Sequence, residues 1–245
     1  MNPIAFGSRA RQLFGVFHPS SGSRVGEGIV LCPPFGSEYI RAHRALRVLG
    51  DRLAGAGFDV FRFDYFGTGD SGGTGKQLSL GGASEDVSAA IDELCAIAGV
   101  ERVTVAGVRF GALAAIRVAP GHDRVDRLIL WDPVDSEAAA EAMSDPETLD
   151  DQGDFWHDGY PVAASLVTEL RQFDESAWNR TAELPTLIVC SEATPPERLR
   201  RLHAGDAWTG SWADFPEEVS WAQVNDLGHG AVPVRIFDRI VAWCT

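Results

Sequence analysis

The feature that most constrains this chain is a pentapeptide, Gly107-Val108-Arg109-Phe110-Gly111, which joins two regular segments. Residues 103–106 predict a short buried strand, and the small side chains from Phe110 onward predict a helix. Two glycines at this spacing frame the strand-to-helix turn G-x-S-x-G, which lifts its middle side chain above a sheet. The middle residue here is Arg109, and a guanidinium cannot attack a carbonyl carbon. The frame is therefore present without its usual nucleophile.

Strand and helix signals alternate along the rest of the chain. Apolar runs that end at proline, glycine or aspartate predict strands, and amphipathic stripes predict helices between them. The order predicts an α/β fold with a mostly parallel central sheet and helices on both faces. The predicted strands are 4–8, 13–18, 29–32, 58–63, 103–106, 127–131, 184–190 and 219–224, and the predicted helices are 38–55, 84–98, 110 onward, 195–203 and 234–243.

The chain length of 245 residues suits one α/β domain, so we expect a single domain over residues 1–245. The pattern weakens between residue 136 and about residue 180, where weak helical signals at 137–143 and 162–173 flank a loop at 150–161. We interpret this segment as a small lid inserted after a strand. Its aromatic side chains, Phe155, Trp156 and Tyr160, suggest an apolar pocket lining.

Composition excludes several classes of function. The chain is acidic, with a net charge of −14 from 35 acidic and 21 basic residues, so a nucleic-acid-binding surface is not expected. No apolar run approaches the length of about 18 residues needed to span a membrane, and the N-terminus lacks a signal-peptide pattern. Four separated cysteines form no metal-ligand spacing, and Cys32 and Cys190, inside apolar strand-like runs, are expected to be buried thiols. We expect a cytoplasmic protein without metal or cofactor, and the sequence leaves its oligomeric state open.

Six segments together resemble a known family. They resemble the serine-aminopeptidase-like (S33-type) α/β hydrolases, and most closely the exosortase-A-associated hydrolase type. Members of that type also often carry arginine at the middle position of the G-x-S-x-G turn. The resemblance runs over roughly the first two thirds of the chain. It implies an α/β-hydrolase fold, in which the G-x-S-x-G turn is called the nucleophile elbow. The matching segments are LCPPFG (31–36), EYIRAHRAL (38–46), FDYFGTGDSG (63–72), GVRFGA (107–112), LWDPV (130–134) and DGYPVAASLVTEL (158–170).

In this fold the elbow is followed along the chain by an acid and then by a histidine. His229 lies in a Gly-His-Gly loop after the last predicted strand and is the candidate base, with an incidental loop histidine as the alternative. Asp132 follows the strand 127–131, at the sheet edge where ligands bind, although an aspartate before proline also favours a turn. The family's usual acid position holds Thr194, so Glu192 is the alternative acid.

The remaining site candidates are the groups that would bind a carbonyl oxygen. Backbone N–H groups of Phe35, Gly36 and Phe110 are expected to form the oxyanion hole. Ser37 and Cys190 are the nearby alternative nucleophiles, but neither occupies a strained turn.

Arg109 needs an anionic partner, because the N-terminus of the following helix disfavours a cation and burying an unpaired guanidinium is costly. The partner is either a protein carboxylate (Asp132, Glu38 or Glu192) or a bound anion. In the first case Arg109 plugs the pocket with its own salt bridge; in the second it binds substrate.

Three functions fit these residues. In the first, His229 with Asp132 and Arg109 acts as a non-covalent general base on a small carbonyl- or carboxylate-bearing metabolite, an anionic one included, in hydrolysis, elimination or cyclisation. In the second, the protein is an inactive pseudo-hydrolase that binds a ligand or partner. In the third, an unrecognised nucleophile carries out ordinary hydrolysis. The absence of serine at position 109 favours the first function over an acyl-enzyme mechanism.

Overall fold

The alternating pattern builds one eight-stranded sheet. A computed structural model describes residues 1–174, 176–191, 199–201, 210–216, 219, 221 and 232–245. The strands are β1 Asn2–Gly7, β2 Gln12–His18, β3 Gly28–Cys32, β4 Asp59–Asp64, β5 Val103–Val108, β6 Val125–Trp131, β7 Phe155–His157, β8 Tyr160–Val162, β9 Thr186–Cys190 and β10 Ser211–Asp214. The sheet has the strand order β1-β2-β4-β3-β5-β6-β9-β10, and β7 and β8 form a separate hairpin.

The sheet is mostly parallel, as predicted. Only β1 and β2 run antiparallel to their neighbours, and β4, β3, β5, β6, β9 and β10 are parallel. Strand β5 lies between β3 and β6, with Cys32 opposite Gly107 and Val108 opposite Trp131. Parallel strands in this register end at one edge of the sheet, so the loops after β3, β5 and β6 meet there.

Helices cover both faces of the sheet. On one face, Leu49 and Leu53 share a core cluster with Ile236 and Phe237 of the C-terminal helix Val234–Cys244. On the other face, buried side chains of the helices Leu80–Ala98 (α2) and Phe110–Val118 (α3) belong to a second hydrophobic core cluster. None of the helices in the described ranges is long and apolar enough to cross a membrane. The helices before the C-terminal one are α1 Gly36–Gly55, α2 Leu80–Ala98, α3 Phe110–Val118, α4 Ser136–Met143, α5 Ala164–Arg171 and α6 Ser176–Arg180.

The segment interpreted as a lid contains more order than the sequence predicts. The expected loop 150–161 includes β7 and most of β8, which pair as an antiparallel hairpin. The helix expected from residue 162 begins instead at Ala164, because Val162 is the last residue of β8. Each strand has three residues, which is too short for a period-of-two pattern to stand out from a loop.

The C-terminal third differs from the prediction in one further element. Strand β10, Ser211–Asp214, pairs in parallel with β9 but was not predicted, because four half-exposed residues give little apolar signal. Of the strand expected at 219–224, Val219 and Trp221 are described and neither lies in a strand, and the other positions lie outside the described residues. Of the helix expected at 195–203, residues 199–201 are helical and the others lie outside the described part.

The glycine-rich stretch after β4 is a tight turn. The Asp64 carboxylate accepts hydrogen bonds from the Tyr39 hydroxyl at 2.6 Å and from the Asp70 N–H at 2.9 Å. The Ser71 hydroxyl donates to the Asp64 carbonyl at 2.6 Å. A Cβ at position 69 would lie 2.2 Å from the Asp64 carboxylate, so only glycine fits there. The stretch therefore serves the fold.

All four cysteine side chains are buried, Cys32 and Cys190 as predicted. Burial raises the pKa of the Cys32 thiol, and it raises the pKa of Cys244 to about 12. These thiols are therefore protonated at neutral pH and poor nucleophiles.

One buried histidine makes stability depend on pH. The His18 ring is 2% exposed; its Nδ1 lies 2.9 Å from Asp51, and its Nε2 accepts a hydrogen bond from Arg62 at 3.1 Å. Because arginine can only donate, these partners assign the neutral ring with its proton on Nδ1. Burial lowers the pKa of His18 below its ordinary value of 6.5, against the opposing effect of Asp51.

We therefore expect stability to fall as the pH drops below about 6.5, because the unfolded chain binds the His18 proton before the folded chain does. A His18→Gln variant should lose that part of the pH dependence, whatever its absolute stability. Urea unfolding of both proteins at pH 7.5 and pH 5.5 gives the change in the free energy of unfolding between these two pH values. An equal change in the wild type and in His18→Gln would contradict the assignment.

Candidate active site

The elbow is a strained turn between β5 and α3. Arg109 has φ 54° and ψ −119°, and its N–H donates to the Trp131 carbonyl at 3.0 Å. A Cβ on Gly107 would lie 2.5 Å from the Cα of Ala112, and one on Gly111 would lie 2.3 Å from the Cys32 carbonyl oxygen. Both glycines are therefore required by close backbone approach, as the G-x-S-x-G frame predicts.

The Arg109 guanidinium is paired with a protein carboxylate. Its Nε and Nη2 atoms each lie 2.9 Å from Oε1 of Glu38, in the first turn of α1. Its Nη1 atom donates to the Asp132 carbonyl at 3.4 Å, and its Cζ lies 5.7 Å from the centroid of the Trp221 ring. Of the partners considered from sequence, Glu38 is thus one that the structure supplies. The floor of the site is an ion pair, not an isolated positive charge.

Asp132 belongs to a buried hydrogen-bond network. The residue follows β6, is 3% exposed and has φ 43°. One carboxylate oxygen accepts from the Ser191 N–H at 2.6 Å, and the other accepts from the Ser191 hydroxyl and from Trp221 Nε1, the latter at 2.7 Å. These bonds join the loops after β6 and β9 beside Arg109. A role for Asp132 in catalysis stays a prediction.

The groups expected to form the oxyanion hole lie at two helix N-termini that meet. Phe35 precedes the first residue of α1, Gly36, and Phe110 is the first residue of α3. N–H groups in a first helical turn have no intrahelical acceptor, so they are available to a ligand oxygen. The Phe35 and Phe110 rings pack edge to face with centroids 4.9 Å apart, and the buried Tyr65 ring lies 5.9 Å from Phe110. The three rings therefore form one buried aromatic cluster beside these N–H groups.

The hairpin of the lid segment lies against this loop. Ser37, the second residue of α1, donates its hydroxyl to the Asp158 carboxylate at 2.8 Å. Asp158 occupies the turn between β7 and β8 with φ 50°. A Cβ on Gly36 would lie 3.9 Å from the Tyr160 ring. The Tyr160 side chain is thus a wall of the site, in agreement with the aromatic lining expected from sequence.

The non-glycine residues with positive φ in the described part of the chain lie around this site. They are Arg109, Asp132 and Asp158, at 54°, 43° and 50°. Asp158 and Gly159, with φ 50° and 82°, form the two-residue hairpin turn between β7 and β8, for which positive φ is the ordinary conformation. At Arg109 a positive φ costs about 1–3 kcal/mol, as is typical of functional sites.

Five of the predicted site residues come together at one sheet edge: Arg109, Asp132, Phe35, Gly36 and Phe110. His229 and the alternative acid Glu192, with Thr194, lie outside the described residues, so their positions stay predictions. Cys190 is 1% exposed, which does not fit a nucleophile. Within the described ranges, no group of three or more His, Cys, Asp or Glu side chains is arranged to hold a metal ion.

Several residues of the site were not predicted. Ser191 and Trp221 bind Asp132 from 59 and 89 residues further along the chain, and Asp158 binds Ser37 across 121 residues. No local pattern marks such pairs. A chemical signal was available only for the partner of Arg109, because a guanidinium at the elbow requires a carboxylate nearby.

Comparison with known proteins agrees with this geometry. Residues 29–149 match the model of the serine aminopeptidase S33 family, a stretch that includes β3, the elbow and β6. No curated protein matches the chain in sequence. The narrower resemblance to the exosortase-A-associated type stays a prediction.

Solved structures share the fold at low sequence identity. Est1E from Butyrivibrio proteoclasticus is similar with a TM-score of 0.74 and 16% identity, covering 100% of this chain and 98% of its own. An alpha-beta serine hydrolase homologue from Coxiella burnetii is similar with a TM-score of 0.62 and 17% identity, covering 100% and 97%. Mouse alpha/beta hydrolase domain-containing protein 10 is similar with a TM-score of 0.63 and 14% identity, covering 100% and 98%.

Proposed function

This chain is an S33-like α/β-hydrolase-fold protein, and from that premise we propose that it is an enzyme that works without an acyl-enzyme intermediate. Its substrate would be a small carbonyl- or carboxylate-bearing metabolite. The catalytic group would be His229, assisted by Asp132 and Arg109. The single observation that carries this proposal is that Arg109 and the buried Asp132 meet beside one oxyanion loop, with Arg109 Nη1 donating to the Asp132 carbonyl at 3.4 Å.

The reacting carbonyl would bind at the two helix N-termini. Its oxygen would accept hydrogen bonds from the N–H groups of Phe35 or Gly36 and of Phe110, which stabilise the negative charge that develops there. Arg109 occupies the elbow with its guanidinium held by Glu38, so that position offers no nucleophilic oxygen. Arg109 therefore acts through its charge and its contacts.

His229 would supply the base. In hydrolysis it takes a proton from water as the water oxygen bonds to the carbonyl carbon and the C=O electron pair moves onto the oxygen in the hole. The bond to the leaving group then breaks, and the protonated imidazole returns the proton to that group. Elimination and cyclisation need the same base and the same hole. The expected cytoplasmic location and small-molecule substrate rest on the sequence.

Two measurements on the purified protein test the proposal. A panel of small esters and lactones should be turned over by the wild type, and His229→Ala should reduce kcat/KM by about 10²-fold or more, since general-base catalysis contributes that much. The control His43→Ala, on an exposed part of α1, should keep the wild-type rate. A serine-directed fluorophosphonate should leave the wild type unlabelled. Covalent labelling at any serine would overturn the proposal.

A pseudo-hydrolase is the second candidate, and the observation that favours it is the Arg109–Glu38 pair itself. Both guanidinium contacts to Glu38 are 2.9 Å, so the pair fills the elbow without a ligand. In this case the whole panel would be inert, and His229→Ala would leave the biological activity of the protein unchanged.

A further inference from the structure

The ion pair at the elbow leaves one carboxylate oxygen open. Arg109 Nε and Nη2 both contact Oε1 of Glu38, each at 2.9 Å. Oε2 has no hydrogen-bond partner among the described residues, and the Glu38 side chain is 24% exposed. A carboxylate oxygen has lone pairs to accept hydrogen bonds, so Oε2 is an acceptor held in a fixed position and open to a ligand.

The open acceptor lies next to the oxyanion loop. Glu38 is the third residue of α1, two positions after Gly36 and three after Phe35. Asp132 has both oxygens engaged by Ser191 and Trp221, and Asp158 has one oxygen engaged by Ser37. Glu38 differs from both, because a guanidinium holds one of its oxygens while the other stays open. A ligand whose carbonyl oxygen enters the hole can therefore meet Oε2 of Glu38.

Charge decides which ligand group fits this oxygen. The Arg109 guanidinium lies 2.9 Å from Oε1 of the same carboxylate, so it repels a second cation, such as an ammonium, at Oε2. An anionic group would bring its own oxygens against Oε2 and would be repelled. The fitting partner is a neutral donor, which forms a charge-assisted hydrogen bond with the carboxylate.

We propose that Glu38 is the specificity-determining residue of this site and selects substrates with a hydroxyl or amide N–H close to the carbonyl group. Arg109 is then a positioning residue, because its two contacts hold the carboxylate in place. The inference rests on the proposed function for the position of the carbonyl. An anionic substrate was among the candidates considered from sequence. At the position of Glu38, the fitting group is a neutral hydrogen-bond donor instead.

The sharpest variant is Glu38→Gln. The amide oxygen of glutamine can still accept from Arg109, and the amide NH₂ then occupies the position of Oε2. One acceptor is thus exchanged for a donor with almost no change in shape. Preference for a hydroxyl over its methyl ether should disappear or reverse. Arg109→Lys tests positioning, because an ammonium lacks the planar pair of N–H donors that converge on Oε1 of Glu38.

Binding of unreactive amides measures the preference without turnover. One arm compares 2-hydroxybutanamide with 2-methoxybutanamide, and the other compares N-acetylglycinamide with its N-methyl counterpart, so the arms distinguish a hydroxyl from an amide donor. Dissociation constants come from ligand-detected NMR titration. In at least one arm the wild type should bind the donor form about 10-fold more tightly, the effect of one good hydrogen bond.

The variants complete the test. Glu38→Gln should bring the ratio to about 1 or below, Arg109→Lys should reduce it, and the control Glu141→Gln, exposed on α4, should keep it. Equal binding within both pairs, a ratio unchanged in Glu38→Gln, or no binding of any probe at millimolar concentration would overturn the inference. An inert ester panel together with a 10-fold ratio would reject the proposed function and leave Glu38 as a ligand-selecting residue.

Discussion

Replacing Arg109 by serine is expected to make the protein reactive toward serine-directed fluorophosphonates, with the adduct on the new side chain. The strained elbow, with φ 54° at position 109, would expose a hydroxyl above the sheet. The helix N-termini at Phe35 and Phe110 would stabilise the charge on the reagent oxygen, and His229 would accept the proton. Arg109→Ser should be labelled about 10²–10³-fold faster than the wild type, since a triad with its hole acts as one unit.

The matched control is Arg109→Ala, which removes the same ion pair with Glu38 but adds no hydroxyl. It should stay unlabelled, as should Arg109→Ser combined with His229→Ala. Mass spectrometry of the intact protein gives the labelled fraction, and peptide mapping gives the position. A folded Arg109→Ser protein that reacts no faster than Arg109→Ala would show that His229 does not serve this elbow.

Asp132→Asn is expected to be the most destabilising conservative change at the site, by about 2–3 kcal/mol. Asparagine tolerates the positive φ of 43°, so the backbone is not the cause. The loss arises because the amide NH₂ would face one of the donors that Asp132 now accepts, either from Ser191 or from Trp221 Nε1. Urea unfolding at neutral pH measures the change in the free energy of unfolding.

The control lies near the other end of the same strand. Asp126 is a partly buried aspartate of β6, one of whose oxygens has no hydrogen-bond partner in the described part of the chain. Burial raises the pKa of Asp126, so its charged form is already disfavoured. Asp126→Asn should therefore change stability by less than about 1 kcal/mol. Equal losses at the two positions would contradict the network assigned to Asp132.

The parts of the fold that depend on local pattern could be predicted from the sequence. The elbow is one of them. Gly107 and Gly111 each lie too close to neighbouring backbone atoms to carry a side chain, and the spacing of these two glycines is visible in the sequence. Strand β5 is another, since all six of its residues are buried and apolar or small, apart from Thr104. The parallel order followed from strands that alternate with helices. The matched S33 family agrees with this prediction.

The parts that depend on distant partners could not be predicted. Whether Arg109 would meet Asp132, Glu38 or Glu192 was left open, because a salt bridge across 71 residues depends on the register of α1 against the sheet. The hairpin β7–β8 was missed for another reason. Its strands are stabilised by pairing and by the Ser37–Asp158 bond, not by an apolar stripe of their own.

The attachment of the lid segment has a consequence for ionic strength. Lys76 binds Asp150 at 2.8 Å, Asp154 at 3.2 Å and the Gln152 side chain at 2.7 Å, in a partly exposed position near the hairpin. Helix α5 is instead attached by buried apolar side chains, among them Leu166 and Leu170. Salt screens exposed charges but not apolar contacts. Raising the salt concentration is therefore expected to weaken the Lys76 contacts, while the buried contacts of α5 and of Val162 in β8 stay in place.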